Sequence, residues 1–323
     1  MTDRSGTPER PPYDAELARA LPGLRGLAPP TITAEMIPAL RVPSNHALVQ
    51  EMLERLGAKS EDVVLAGYGG DEIAASVITR ERRSGVGPGF VHLHSGGMIL
   101  GTRFDGIEQF VAWAVRYDGV LVTVDYRLAP EFPDPYPVED SYAALQWTAA
   151  HASQLRIDPE SLFVVGASAG GGLAAGAALL ARARSGPALA GQLLSYPMLD
   201  DRARTPSNAQ FEGVGVWDRL SNITGWTALL GTRYGTDDVS ESAAPARTED
   251  HRGLPPAYLE VGSAEIFRDE CVAYASALWA AGVDAELHVW PGAFHACDLL
   301  APTAIVSRRM ATARDAWIAR MLG

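Results

Sequence analysis

Residues Leu162 to Gly172 read LFVVGASAGGG, four apolar residues that pass into glycine and alanine around a single serine. Such a short apolar run suits a strand buried on both faces. The small-residue stretch Gly170 to Ala181 that follows suits a buried helix whose backbone approaches that strand closely. A strand entering a helix through Gly166, Ser168 and Gly170 forces a sharp turn at the serine. Its hydroxyl then stands at the helix N-terminus, where free N–H groups and the helix dipole favour a developing negative charge. A phosphate-binding loop or plain tight helix–sheet packing has the same glycine pattern, so the rest of the chain has to decide. The apolar stretch stops at Arg182, short of the roughly 20 residues of a membrane span.

Around this segment, brief apolar runs alternate with stretches of helical period, the rhythm of a sheet built from βα units. Phe90 to His94, Val120 to Val124, Leu162 to Val165, Leu189 to Ser195, Ala257 to Val261 and Ala285 to Trp290 are the expected central strands. Helices are expected at about 106–117, 138–151, 170–184, 268–281 and 303–321. Strands that are apolar throughout require helices on both faces of a mostly parallel sheet. Asp62 to Tyr68 and Ile73 to Thr79, joined by Gly69-Gly70-Asp71, suit an antiparallel hairpin at the sheet edge. Two regions break the rhythm, 1–45 and about 200–240, the latter with Phe211, Trp217, Trp226 and Tyr234. Insertions above the carboxyl ends of parallel strands cover ligand sites, so both are expected to form a cap over a core spanning 46–323. Acyl-group selectivity would then depend on cap aromatics such as Phe211, Trp217 and Phe267, whose placement the residues leave open.

Composition narrows the functions. A formal net charge of −12 disfavours the attraction to phosphate backbones on which non-specific nucleic-acid binding relies. The two cysteines, Cys271 and Cys297, are too few for a disulfide framework and lack zinc-ligand spacing. A reduced, cytoplasmic compartment fits, and Met1 to Arg10 has no apolar core of a secretory signal. Cys297 lies two residues beyond His295, so it is either a redox-sensitive thiol or a small apolar filler, the filler being the plainer reading.

A serine hydroxyl needs a base before it becomes a nucleophile. Of seven histidines, His92 and His288 fall inside expected strands and His46, His151 and His251 in polar or helical surroundings. His295 follows the last strand in the Pro/Gly loop Trp290 to His295, which can bring an imidazole over Ser168. An acid that orients it should lie between the two in chain order. Glu265, after the strand Ala257 to Val261, is the choice, Asp269 is the rival and Asp200 a third candidate. A glycine turn at Gly96 and Gly97, after the strand Phe90 to His94, offers amides for an oxyanion hole, with the Ala169 N–H completing the set.

With these residues in place, the sequence resembles the bacterial hormone-sensitive-lipase-like esterases. His94 to Gly97 is similar to their His-Gly-Gly-Gly signature, Asp125 to Glu131 (DYRLAPE) to a segment they carry ahead of the nucleophile, and Gly166 to Gly171 to their Gly-Asp-Ser-Ala-Gly-Gly. The likeness covers about residues 60–300. It implies an α/β-hydrolase fold with a helical cap, and hydrolysis of short- to medium-chain carboxylic esters through an acyl-enzyme. It also implies no metal, no cofactor and a small-molecule ester as partner. Dimers through the last strand and helix are frequent in the resembling family. Three positions depart from the pattern: Ser95 replaces a glycine, Ala167 an aspartate, and Glu265 stands where most members have aspartate. The same triad would serve an acyltransferase, a lactonase or an amidase. A non-catalytic receptor on this fold ranks lower, because its relatives lose the histidine that is present here.

Overall fold

The computed structural model describes residues 8–24, 29 and 31–323. Of the expected N-terminal cap segment, and of the expected absence of a signal, the parts that fall on 1–7, 25–28 and 30 lie outside the described residues. Strands β1 (Ala58–Ala66), β2 (Glu72–Arg80), β3 (Gly87–Leu93), β4 (Val120–Val124), β5 (Ile157–Ala167), β6 (Gly191–Ser195), β7 (Ala257–Gly262) and β8 (Ala285–Trp290) form one sheet. Their order is β1-β2-β4-β3-β5-β6-β7-β8. The hairpin β1–β2 is antiparallel and sits at one edge, β2 pairs antiparallel with β4, and every other pair is parallel.

Alternation along β5 shows how the sheet is buried on both faces. Phe163 and Val165 point to one side, where they meet Phe90, Phe110, Trp113, Tyr258 and Trp317. This layer is closed by the helices Glu108–Arg116 and Ile305–Leu322. Leu162 and Val164 point to the other side, into a core shared with the helices Tyr136–Ala150, Ala169–Ala183 and Arg268–Ala280. Fully burying one such side chain contributes about 1.5–3 kcal/mol, so the apolar runs of the central strands carry much of the driving force for folding.

Boundaries moved where backbone pairing outran apolar patterning. β3 begins at Gly87, ahead of the apolar run that starts at Phe90, because Gly87 pairs with Ile157 across a register shift. β5 starts at Ile157 for the same reason, and its polar residues Asp158 and Glu160 lie at the solvent-exposed end. β6 begins at Gly191, two residues later than the apolar run. The N-terminal segment contributes the helices Ala15–Leu24 and Ile37–Leu40, the core begins with the helix His46–Leu56, and the 200–240 region contributes Pro206–Gln210 and Arg219–Leu230. The two regions touch. The Thr31 hydroxyl donates to Asp218 at 2.7 Å, the Ile32 N–H to the Ser221 hydroxyl at 2.8 Å, and the Gln210 amide to the Glu9 carbonyl at 2.7 Å. No helix among the described residues is long and apolar enough to cross a membrane.

Because β3, β5, β7 and β8 run parallel, the loops at their carboxyl ends share one edge of the sheet. Those loops hold Gly96, Ser168, Glu265 and His295.

Candidate active site

Ser168 caps the helix Ala169–Ala183 with φ 56° and ψ −121°, a conformation a non-glycine residue adopts only where its surroundings impose it. The imposing contacts are present. The Ser168 N–H donates to the Ser195 carbonyl at 2.9 Å, and the Ser168 carbonyl accepts from Met198 at 2.9 Å and Gly172 at 3.0 Å. Close approach explains Gly170: a Cβ there would stand 2.6 Å from the His94 carbonyl oxygen and overlap that of Leu93. The first turn of the helix is therefore pressed against the end of β3 and the loop that leaves it.

Ser168 Oγ lies 3.0 Å from His295 Nε2, and His295 Nδ1 lies 2.6 Å from Glu265 Oε2. The three side chains are 4%, 6% and 2% exposed, so water barely competes for these bonds. The other Glu265 oxygen accepts the Gly262 N–H at 3.0 Å, which fixes the carboxylate to the end of β7. The acid rivals point elsewhere. Asp269 accepts from the Ser207 N–H and from Arg268, both at 2.7 Å, and Asp200 pairs with Arg202 at 2.7 Å.

The glycine loop after β3 turns at Gly96 (φ 116°) and Gly97 (φ 64°), both in the region that favours glycine. The Gly96 carbonyl accepts from Ile99 and Leu100, and neither the Gly96 nor the Gly97 N–H donates to a backbone carbonyl among the described residues. Ala169, the first residue of its helix, has an N–H without an intrahelical acceptor. His94 braces the loop. Its Nδ1 is 2.7 Å from the Ser95 carbonyl, its ring stacks on Tyr126 at 4.0 Å, and the Tyr126 hydroxyl donates to the His94 carbonyl at 2.8 Å. Burial holds the His94 imidazole below its ordinary pKa.

Several residues that shape the site leave no pattern in the sequence. Tyr196 and Phe267 press edgewise on the His295 ring, with centroids 5.0 and 5.2 Å away. The Tyr196 hydroxyl donates to Asp298 at 2.9 Å, Asp298 contacts Arg314, and Arg314 Nε lies 2.7 Å from Glu260 Oε1. Glu260 is fully buried, and burial raises its carboxyl pKa against the opposing pull of Arg314. In the sequence Arg314 is one of several arginines on the last helix, and helical period marks none of them as buried. Cys297 is buried beside Met310, and burial pushes its thiol upward; Cys271 is likewise buried and unpaired. No group of three His, Cys, Asp or Glu side chains among the described residues could hold a metal ion.

A family model described as "alpha/beta hydrolase fold" matches residues 90–299. Esterase LipI of Mycobacterium tuberculosis is 35% identical over 201 residues, 62% of each chain. The chain spans just under two thirds of the length of such curated relatives. Among solved structures, a bacterial heroin esterase is 39% identical with a TM-score of 0.87, over 96% of this chain and 98% of that one. Brefeldin A esterase, described as a bacterial homologue of human hormone-sensitive lipase, is 25% identical with a TM-score of 0.78, over 96% of this chain and 93% of that one. Sheet order, the serine turn and these likenesses agree: the chain belongs to the hormone-sensitive-lipase-like family of α/β hydrolases.

Proposed function

We propose that this protein is a serine carboxylesterase that hydrolyses short- to medium-chain carboxylic esters through an acyl-enzyme. The observation that carries the reading is the buried hydrogen-bonded series from Glu265 through His295 to Ser168, at 2.6 and 3.0 Å. His295 Nε2 takes the Ser168 proton as Oγ attacks the ester carbonyl. The oxyanion forms against the N–H groups of Gly96, Gly97 and Ala169, each such donor being worth roughly 3 kcal/mol in the transition state. His295 then delivers the proton to the leaving alcohol. Water, deprotonated by the same imidazole, attacks the acyl-enzyme and releases the carboxylic acid, returning the proton to Ser168. Glu265 holds the Nδ1–H tautomer and stabilises the imidazolium. Esterase activity in the relatives' names supports the reaction class.

Residues 46–323 act as the hydrolase core in this reading, and 1–45 with about 200–240 as a cap over the site. The hydrogen bonds from Thr31 and Ile32 to the Asp218–Ser221 turn support that division. A cytoplasmic location and a homodimer through β8 and the last helix belong to the same reading. The outer edge of β8, which among the described residues pairs in the sheet only with β7, supports the dimer.

Replacing Ser168 with alanine tests the reaction. Turnover of p-nitrophenyl butanoate should fall by at least about a thousandfold, as nucleophile removal does in serine hydrolases. Turnover within a few-fold of the native protein rejects the reading.

A further inference from the structure

We infer that Trp217 sets the size of the acyl group and makes the site selective for short chains; this rests on the ester-hydrolase reading above. In the attack geometry the leaving oxygen must face His295 Nε2 and the carbonyl oxygen must face the glycine amides. The remaining substituent, the acyl chain, therefore extends away from His295 and across the glycine loop.

Trp217 closes that direction. It is 7% exposed, and its six-membered ring lies directly on Gly97, where a Cβ would overlap Cη2 and stand 2.7 Å from Cζ2. Gly225, on the helix Arg219–Leu230, completes the wall. A Cβ at Gly225 would lie 2.9 Å from the Gly97 carbonyl oxygen, 3.5 Å from Trp217 Cζ2 and 3.6 Å from Met198 Cε.

The indole has little freedom to give way. The next residue, Asp218, caps that helix by accepting the Ser221 N–H at 2.8 Å, and its second oxygen accepts from Thr31 at 2.7 Å and from the Gly213 N–H at 2.9 Å. Trp217 Nε1 is buried without a hydrogen-bond partner among the described residues. A rigid wall packed on Gly97 of the glycine loop admits an acetyl or butanoyl group and excludes chains that need the space of the indole.

The test is the ratio of kcat/KM for p-nitrophenyl octanoate to that for the acetate, in the native protein and in Trp217→Ala and Trp217→Phe. The native protein should favour the acetate. The alanine variant should raise the octanoate-to-acetate ratio by about tenfold or more, since single methylenes in a shaped pocket discriminate by about that factor. The phenylalanine variant should raise it less, and it carries the test alone if the alanine variant does not fold. A ratio that stays within twofold of native, or an equal fall for both esters, overturns the gate. A native protein that hydrolyses none of the esters overturns the hydrolase reading instead.

Discussion

Glu265 is the residue at which geometry separates candidates that spacing could not. Glu265 and Asp269 stand four positions apart after the same strand, and both lie where a family acid could be. Glu265 reaches His295 Nδ1 at 2.6 Å, whereas Asp269 is engaged by Ser207 and Arg268. A neutral amide at position 265 permits the wrong imidazole tautomer, which in a comparable triad costs about four orders of magnitude in kcat. Glu265→Gln should therefore lower kcat by about a hundredfold or more, and Asp269→Asn by less than about tenfold. Steady-state kinetics on the two variants decides, and the reverse ranking moves the role to Asp269. The second Glu265 oxygen accepts the Gly262 N–H, so the carboxylate is held from both sides.

Among the elements, the helix Arg268–Ala280 shows how a buried acid ties the site loops to the sheet. Its Glu270 accepts the Leu199 N–H at 2.7 Å and the Asp200 N–H at 3.3 Å, just beyond β6. Burial pushes this carboxyl well above its ordinary value of 4.5. An acid whose pKa is higher in the folded than in the unfolded state gives its full stability below about pH 4.5. That contribution is lost as the pH rises toward the folded value, because the unfolded chain releases its proton first. Glu270→Gln keeps the acceptor and cannot ionise. Its Tm relative to the native protein should thus climb from about pH 4.5 upward and level off at lower pH. A Tm difference that is flat with pH, or that falls, contradicts this account.

For the molecule as a whole, what could be read in advance followed from burial on both faces. The runs Val120 to Val124 and Ala285 to Trp290 match the observed strands, because apolar composition and backbone pairing end together there. The antiparallel edge hairpin was legible from its glycine turn, and Ser168, Glu265 and His295 from their positions after β5, β7 and β8. Other features were hidden by physics that acts between distant segments. The Gly-Pro-Gly start of β3 is a strand only because Ile157 lies beside it, and Arg314 is buried only because Glu260 and Asp298 meet it there. The contact of Trp217 with Gly97 joins residues 120 positions apart in sequence, and no local pattern encodes it.

On the proposed function, Ser168 Oγ, made nucleophilic by His295, is the one group that takes up an electrophile. Diethyl p-nitrophenyl phosphate measures this directly, with intact-mass analysis and peptide mapping of the native protein. One diethylphosphoryl group per chain is expected, carried on Ser168, with release of one p-nitrophenolate. An unmodified chain, or a phosphoryl group carried on any other residue, would contradict it.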